Sequence, residues 1–214
     1  KSILKECSIK EIYCDNHGAP ITYVIPIYQR NYAWERDEIC ALIKDVHDSM
    51  DMGKTVYYIG TLVTYKRDEN KYEVIDGQQR LTTIYIILRA LGVQDINNRL
   101  TYSARKASAS TIKALSRRGE KDDFGEMPDL GIKNGFDSAK AGLNEIVGMS
   151  QTDVDKFKEY FLNHVHIIHY RVPKDVDLNH YFEVMNSRGE QLEKHEIVKA
   201  KLSEQFIGDN TSME

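Results

Sequence analysis

A run of polar and small residues, DGQQR at 76–80, stands where a predicted strand becomes a predicted helix. Residues 72–75 alternate as in a strand, and apolar residues from Leu81 onward recur at helical spacing. The start of a helix offers unpaired backbone N–H groups and the positive end of a dipole, and an arginine fork there suits a phosphate. This stretch therefore predicts a phosphate-binding turn with Arg80 as its cation.

The same residues also allow a purely structural interpretation. Asp76 is a good N-cap, and Gln79 three positions later completes a capping-box pattern. That interpretation leaves Gly77, Gln78 and Arg80 without a role, and a cation in the first turn opposes the helix dipole. A carboxylate at the cap competes with phosphate, so Asp76 would orient Arg80 or hold a divalent ion such as Mg²⁺. From the pattern alone, cap and ligand site are equally good interpretations.

A second junction, YQRNYAW at 28–34, also carries a glutamine followed by an arginine. Gln29 and Arg30 follow a predicted strand and precede a predicted helix. Arg30 either extends past a core of aromatic rings into solvent or stacks among them, as arginines do where they contact bases or phosphates. If the two strands are neighbours, both junctions face one cleft.

The third junction, FEVMNSRGEQL at 182–192, ends a predicted helix at Gly189. The simpler interpretation is a helix C-cap with Arg188 at the negative end of the dipole. Asn186 could also present its amide to a base edge or to a metal-bound water. Capping is the favoured interpretation of this stretch.

Apolar periodicity places these junctions in a mixed chain of strands and helices. Strand-like runs at 56–65 and 71–76 flank the polar turn RDEN and read as a hairpin. The other predicted strands cover 20–27 and 163–173, with amphipathic helices between and after them. We therefore predict class α+β: a small mixed sheet with helices around it. The predicted segments are a core at 1–92, a helical region at 93–162, and a strand and helices at 163–214 that complete the core.

Composition limits the function classes. The 214 residues carry a net charge of -4 with a pI near 6.0, which argues against a generally basic nucleic-acid binder but allows a local basic site. Three cysteines without a CxxC spacing are typical of a reducing, cytoplasmic setting, and no apolar run is long enough to span a membrane. Because the sequence begins at Lys1, we expect a fragment of a longer protein.

Three stretches together resemble a known family: IPIYQRNYAW, then IGTL…YEVIDGQQRLTTI, then YFEVMNSRGEQL…EIVKAKL. In order and spacing, from about Ile25 to Leu202, they are similar to the N-terminal domain of GmrSD-type modification-dependent restriction enzymes. LTYSAR, which ends at Arg105, resembles a further motif of that family. The resemblance implies a core of the ParB/sulfiredoxin-like type with an added helical region. In that superfamily a Gly-x-x-Arg turn, matched here by Gly77 and Arg80, handles nucleotide phosphates.

The resemblance also implies an activity. Family members bind and hydrolyse nucleoside triphosphates, and some sense modified DNA in phage defence. Their endonuclease activity usually belongs to a separate HNH-type domain or subunit, and this sequence shows no convincing version of that nuclease motif. We therefore expect an NTP-hydrolysing sensor domain that works with DNA and an HNH-type nuclease, and that forms no contact with membranes. A homo-oligomer is an assembly that the sequence allows.

In this hypothesis the catalytic residues surround the DGQQR turn. Arg80 would hold phosphates, Asp76 would position Mg²⁺ or the attacking water, and Gln78 and Gln79 would orient water or bind ribose and phosphate oxygens. The expected nucleotide- or phosphate-binding residues are Tyr28, Gln29, Arg30, Gly77, Thr82, Thr83, Asn186 and Arg188.

Two other functions remain open from the sequence. In the first, a ParB-like cleft nicks DNA, with a metal on Asp76 and Arg80 at the scissile phosphate. In the second, the chain reads DNA without catalysis through a basic helical segment that includes Arg105, Arg117 and Arg118. Adjacent acidic residues and the low pI favour an ordinary solvated helix face for that segment.

Overall fold

The computed structural model describes residues 4–15, 17–116, 124–174 and 176–178. The predictions that concern Arg117, Arg118, Asn186 and Arg188 lie outside the described residues. The chain divides into two compact units, Lys1–Val172 and Pro173–Glu214, and every helix and strand given below belongs to the first. The division of the chain into the segments 1–92, 93–162 and 163–214 stays a prediction.

Six strands form one mixed sheet, so the predicted α+β class is confirmed. The strands are β1 (Leu4–Ser8), β2 (Thr22–Ile25), β3 (Tyr57–Asp68), β4 (Lys71–Asp76), β5 (Leu100–Tyr102) and β6 (Val165–Val172). They lie in the order β1-β6-β3-β4-β2-β5. β1 runs antiparallel to β6 and β3 antiparallel to β4, whereas the pairs β3–β6, β2–β4 and β2–β5 are parallel.

Within the described residues, six helices accompany the sheet: α1 (Ile9–Ile12), α2 (Arg36–Asp51), α3 (Gln78–Ala90), α4 (Lys106–Leu115), α5 (Leu130–Ile146) and α6 (Gln151–Asn163). α3 is the central helix, because every residue from Leu81 to Arg89 is buried, and a helix that is apolar nearly all round belongs inside a core. α5 packs against both α2 and α3. In the described part of the chain, no helix has the length and apolar character needed to cross a membrane.

The predicted hairpin is confirmed, since β3 and β4 pair antiparallel around a turn at residues 69–70. Its register sets Asp76 opposite Val63, and the DGQQR turn follows at once. The strand predicted at 20–27 is shorter in the structure. It ends at Ile25 because Pro26 has no N–H to offer the next ladder position. β1, α1 and β5 were not predicted, and each of them has five residues or fewer.

Candidate functional site

Three predicted motifs meet at one edge of the sheet. β2, β4 and β5 run parallel to one another, and the carboxyl ends of parallel strands lie at the same edge. The YQR stretch follows β2, the DGQQR turn follows β4, and LTYSAR contains β5 and ends just beyond it. The first two junctions were expected to face one cleft if their strands are neighbours. β2 and β4 are direct neighbours in the sheet, so this condition is met.

The capping-box prediction for α3 is wrong. Gly77, not Asp76, occupies the N-cap position, with φ +90° and no capping hydrogen bond from a side chain. Only a glycine fits there, because a Cβ would stand 2.8 Å from the carbonyl oxygen of Thr61 and the backbone is left-handed. The helix consequently begins one residue later than predicted, and the side chain of Gln79 points away from the cap.

Both glutamines of the turn hold the loop that follows β2. The Nε2 of Gln79 donates to the carbonyl of Asn31 at 2.8 Å, and its Oε1 accepts from the backbone N–H of Ala33, also at 2.8 Å. Gln78 is 4% exposed and donates from Nε2 to the carbonyl of Arg30 at 3.0 Å. The side chain of Gln79 thus bonds to two backbone groups of the loop, and the side chain of Gln78 bonds to a third.

The same loop is held from two other elements. Gln29 turns back and donates from Nε2 to the carbonyl of Ile75, the residue before the DGQQR turn, at 2.7 Å. Arg105, at the start of α4, donates from Nη2 to the carbonyls of Ile27 and Gln29. Arg105 therefore bonds to the backbone of the loop at 27–33. The DNA contact predicted for it is a different one and stays a prediction.

Arg80 is the half-buried cation of the site. Its Nη1 donates to the carbonyl of Thr61 at 3.2 Å, and the guanidinium lies against Gly60 in β3. Burial lowers the pKa of Arg80, while the carboxylate of Asp76 acts in the opposite direction. Since arginine stays protonated in proteins, the result is a cation that gains from a nearby anion. No other hydrogen bond joins its guanidinium to a described residue, so further N–H groups can meet a ligand.

Arg30 is a second cation close to the turn. Its backbone carbonyl is fixed by Gln78, but its side chain is exposed and makes no hydrogen bond or ion pair with any described residue. Tyr28, two positions earlier, is 53% exposed and donates its hydroxyl to Glu73 at 2.7 Å. Burial opposes the charge on Glu73, but its hydrogen bonds, from Arg67 foremost, hold its pKa below the usual value. The loop thus presents a cation beside a neutral phenol.

The predicted threonines lie below the turn, in the core. Thr82 is fully buried and shares a 2.9 Å hydrogen bond with the hydroxyl of Tyr102. Thr83 is equally buried and bonds to the carbonyl of Gln79 and to the hydroxyl of Tyr32, at 2.9 and 2.8 Å. Their hydroxyls join α3 to β5 and to the loop, and the structure brings neither to the exposed side of the turn.

Across the described ranges, no group of three or more His, Cys, Asp or Glu side chains is placed to hold a metal ion.

Sequence reasoning missed Gly60, which lies against Arg80 in the structure. The available signal was a glycine inside a strand pattern, which often marks a close approach of another group.

The comparison with protein families gives a match over most of the chain. The model described as "GmrSD restriction endonuclease, N-terminal domain" matches residues 9–203, which include all three junctions. No curated protein sequence matches the chain. Because the family match covers most of the 214 residues, this chain belongs to the family of GmrSD restriction endonuclease N-terminal domains.

Proposed function

We propose that this chain binds a nucleoside triphosphate at the start of α3 and hydrolyses it as the nucleotide-dependent sensor of a DNA restriction system. The observation that carries the proposal is Arg80, a half-buried guanidinium in the first turn of a helix that begins at a glycine, with one hydrogen bond to the described residues. The first N–H groups of such a helix have no partner within it, so they and the guanidinium suit the same phosphate.

The other groups at this edge would complete the nucleotide site. Arg30 would contact the phosphates or the base from the exposed loop, whose backbone is already fixed by three side chains. Phosphoryl transfer depends mainly on positioning and on charge neutralisation, and a fixed loop with two cations provides both. In this scheme Gln78 and Gln79 act by holding the loop, because their amides are bonded to its backbone.

Asp76 fits one part of a magnesium site. Mg²⁺ is commonly held by one or two carboxylates together with substrate phosphates and water, so a single carboxylate beside the phosphate site is sufficient. When bound, the ion would neutralise charge on the phosphate oxygens. Asp76 would therefore hold Mg²⁺ or orient the attacking water, and it also balances the charge of Arg80.

The family name gives the setting for this activity. It describes the N-terminal domain of a restriction endonuclease, so we propose that nucleotide turnover in this chain responds to DNA, in particular to modified DNA. DNA cleavage would then belong to an HNH-type nuclease domain or subunit.

Calorimetry with Mg-ATP and Mg-GTP tests the site. Loss of charge-assisted hydrogen bonds costs roughly 1.5–3 kcal/mol each, so Arg80→Ala should weaken binding about tenfold to 100-fold. Arg80→Lys, which keeps the charge but loses the planar fork, should recover part of the affinity. Arg36→Ala is the matched control, because Arg36 is exposed and pairs with Glu145 on α5. Unchanged affinity in Arg80→Ala, or a wild type that binds no nucleoside triphosphate, would refute the proposal.

Measurement of phosphate release tests whether Asp76 takes part in nucleotide hydrolysis. We expect Asp76→Asn to keep nucleotide binding within a few-fold and to lower kcat by roughly 100-fold, since removing a positioned catalytic group typically costs two to four orders of magnitude. A parallel assay on supercoiled plasmid with Mg²⁺ or Mn²⁺ separates this function from DNA nicking. Nicking that disappears in Asp76→Asn, without any nucleotide hydrolysis by the wild type, would show a nuclease instead.

A further inference from the structure

Gly60 marks an irregular place in the longest strand of the sheet. Its φ is +122°, a conformation that side chains other than glycine rarely adopt. The pairing of β3 with β6 also shifts register between Tyr58 and Thr61, on either side of this glycine. A glycine and a register shift inside a strand often indicate that another group must approach the backbone closely.

The approaching group is the guanidinium of Arg80. A Cβ built on Gly60 would stand 2.7 Å from Cζ, 2.8 Å from Nη1 and 3.0 Å from Nη2 of that side chain. Because the three distances are nearly equal, a flat face of the guanidinium is turned toward the place where a Cβ at position 60 would stand. Any side chain at position 60 would occupy the place where Arg80 now lies.

Tyr57, a half-buried residue of β3, interacts electrostatically with Arg80 and with Asp45 of α2. Burial raises the pKa of Tyr57, and Asp45 acts in the same direction, so the hydroxyl keeps its proton. Arg80 therefore lies against Gly60, and the carboxylate of Asp76 is a counter-charge to it.

We propose that Gly60 is a positioning residue for Arg80, and that it fixes the plane in which the guanidinium meets the terminal phosphates of a nucleotide. Tyr57, three positions earlier on the same strand, helps to hold the guanidinium in that plane. The inference rests on the proposed nucleotide site and adds to it the part of β3 at 57–60 as its second wall. It requires that Gly60 and Arg80 act as one unit in binding.

A double-mutant cycle on the affinity for Mg-ATP and Mg-GTP tests this unit. We expect Gly60→Ala to weaken binding at least tenfold although Arg80 is present, and Gly60→Ala/Arg80→Ala to bind no worse than Arg80→Ala alone, since both changes remove the same contact. Gly53→Ala is the matched control. Gly53 also has a positive φ, +67°, but nothing lies within 4 Å of its added Cβ, so that variant tests an alanine at a left-handed position away from Arg80 and should bind within twofold of wild type.

A pair of neighbouring tyrosines provides a second test that adds no atoms to the fold. Tyr57→Phe should weaken nucleotide binding about threefold or more. Tyr58→Phe should leave it unchanged, because Tyr58 is 55% exposed and its ring contacts His166 of β6. If Gly60→Ala does not fold, this pair decides the question.

The outcomes separate the inference from the proposed function. Loss of binding in Arg80→Ala together with wild-type binding in Gly60→Ala, or equal binding in both tyrosine variants, would overturn the role of β3 and leave the nucleotide site intact. Multiplied losses in the double variant would show that Gly60 acts independently of Arg80 and would also overturn the inference. A wild type that binds neither nucleotide would overturn both.

Discussion

His169 is a buried imidazole between two tyrosines in the middle of the sheet. It is 2% exposed, bonds to the hydroxyl of Thr64 at 2.8 Å and contacts the rings of Tyr23 and Tyr72. Burial, and secondarily the charge of Arg171, lowers the pKa of His169 to about 3. The folded chain therefore keeps this side chain neutral between about pH 3 and pH 6.5, a range in which an exposed histidine becomes charged.

This depressed pKa predicts a loss of stability in mild acid. Above pH 6.5 neither state is protonated. As the pH falls below 6.5, the unfolded chain takes up a proton that the folded chain refuses until about pH 3, so the free energy of unfolding falls. Between pH 7 and pH 5 the loss from His169 should be about 2 kcal/mol, measured by urea unfolding. His169→Gln, which can still bond to Thr64, should abolish this component.

The exposed histidine His17 supplies the control for that measurement. His17→Gln should keep the same difference in unfolding free energy between pH 7 and pH 5 as the wild type. An unchanged pH dependence in His169→Gln would show that His169 does not titrate as a buried group.

Single residues also explain where sequence reasoning about the turn succeeded and failed. Arg80 was recognised as the cation of the turn because charge and position relative to a helix start are visible in the sequence. The cap was predicted wrongly, because Asp76 and Gln79 form a good capping pattern although Gly77 occupies the N-cap position. Whether a glycine adopts φ +90° depends on the Thr61 carbonyl next to it, and a residue sixteen positions away in another strand is not visible locally.

At the scale of elements, the loop at 27–33 is a rigid support built from side chains of other elements. α3 contributes Gln78 and Gln79, and α4 contributes Arg105 at its start. The loop has no helix or strand of its own, so these side-chain hydrogen bonds take the place of the backbone hydrogen bonds that a strand would have. Because the loop is held in this way, the backbone of Arg30 can keep one orientation at the surface.

Hydrogen exchange at Ala33 measures this support directly. The N–H of Ala33 donates to Oε1 of Gln79, so Gln79→Ala should expose it. For a bond worth roughly 1 kcal/mol, protection should fall about fivefold, and amides in the centre of α3 should not change. Gln151→Ala on α6, whose side chain bonds to Asp155 at the surface, is the control. Equal protection of Ala33 in Gln79→Ala would show that the loop is held by other contacts.

The start of α5 packs closely against the same loop. A Cβ on Gly131 would stand 2.7 Å from the carbonyl oxygen of Tyr32, and one on Gly135 would stand 2.9 Å from the ring of that tyrosine. Gly131→Ala should therefore lower the free energy of unfolding by about 1–3 kcal/mol, because a backbone oxygen cannot move aside easily. On an open helix the same change would stabilise by about 0.5–1 kcal/mol.

Thermal unfolding distinguishes the two signs for Gly131→Ala. Asn134→Ala is the control on the same helix, because Asn134 is exposed, and it should leave the melting temperature unchanged or raise it slightly. A higher melting temperature for Gly131→Ala would mean that α5 does not approach Tyr32 as closely as the structure shows.

Elements were predictable from sequence to the extent that their signals are local. The β3–β4 hairpin was found because its strands and polar turn are contiguous, and α2 because its apolar stripe is regular. β5 has three residues and exists because β2 pairs with it, and β1 exists because β6 does. A short segment that becomes a strand through a distant partner carries little pattern of its own.

At the scale of the whole molecule, ligand binding and folding are linked. At a nucleotide concentration about 100 times Kd, binding to the folded state alone adds roughly 2.7 kcal/mol of stability. For a chain of this size that corresponds to a rise in Tm of about 5–10 °C, measured by scanning fluorimetry with Mg-ATP and Mg-GTP. Arg80→Ala should show a clearly smaller rise, because its binding is weaker by about tenfold to 100-fold, and Arg36→Ala should show the full one. An equal rise in Arg80→Ala would place the nucleotide elsewhere.

The pairing of β1 with β6 has a consequence for how the chain is made. β1 is the first of the six strands along the chain, and the hydrogen bond between Glu6 and His166 joins residues 160 positions apart. At a synthesis rate of about 5–20 residues per second, β1 leaves the ribosome on the order of ten seconds before β6 exists. During that interval the charged side chains of Lys5 and Glu6 would discourage the unpaired strand from joining another nascent chain. The first of these six strands to be synthesised is thus among the last of them to be paired.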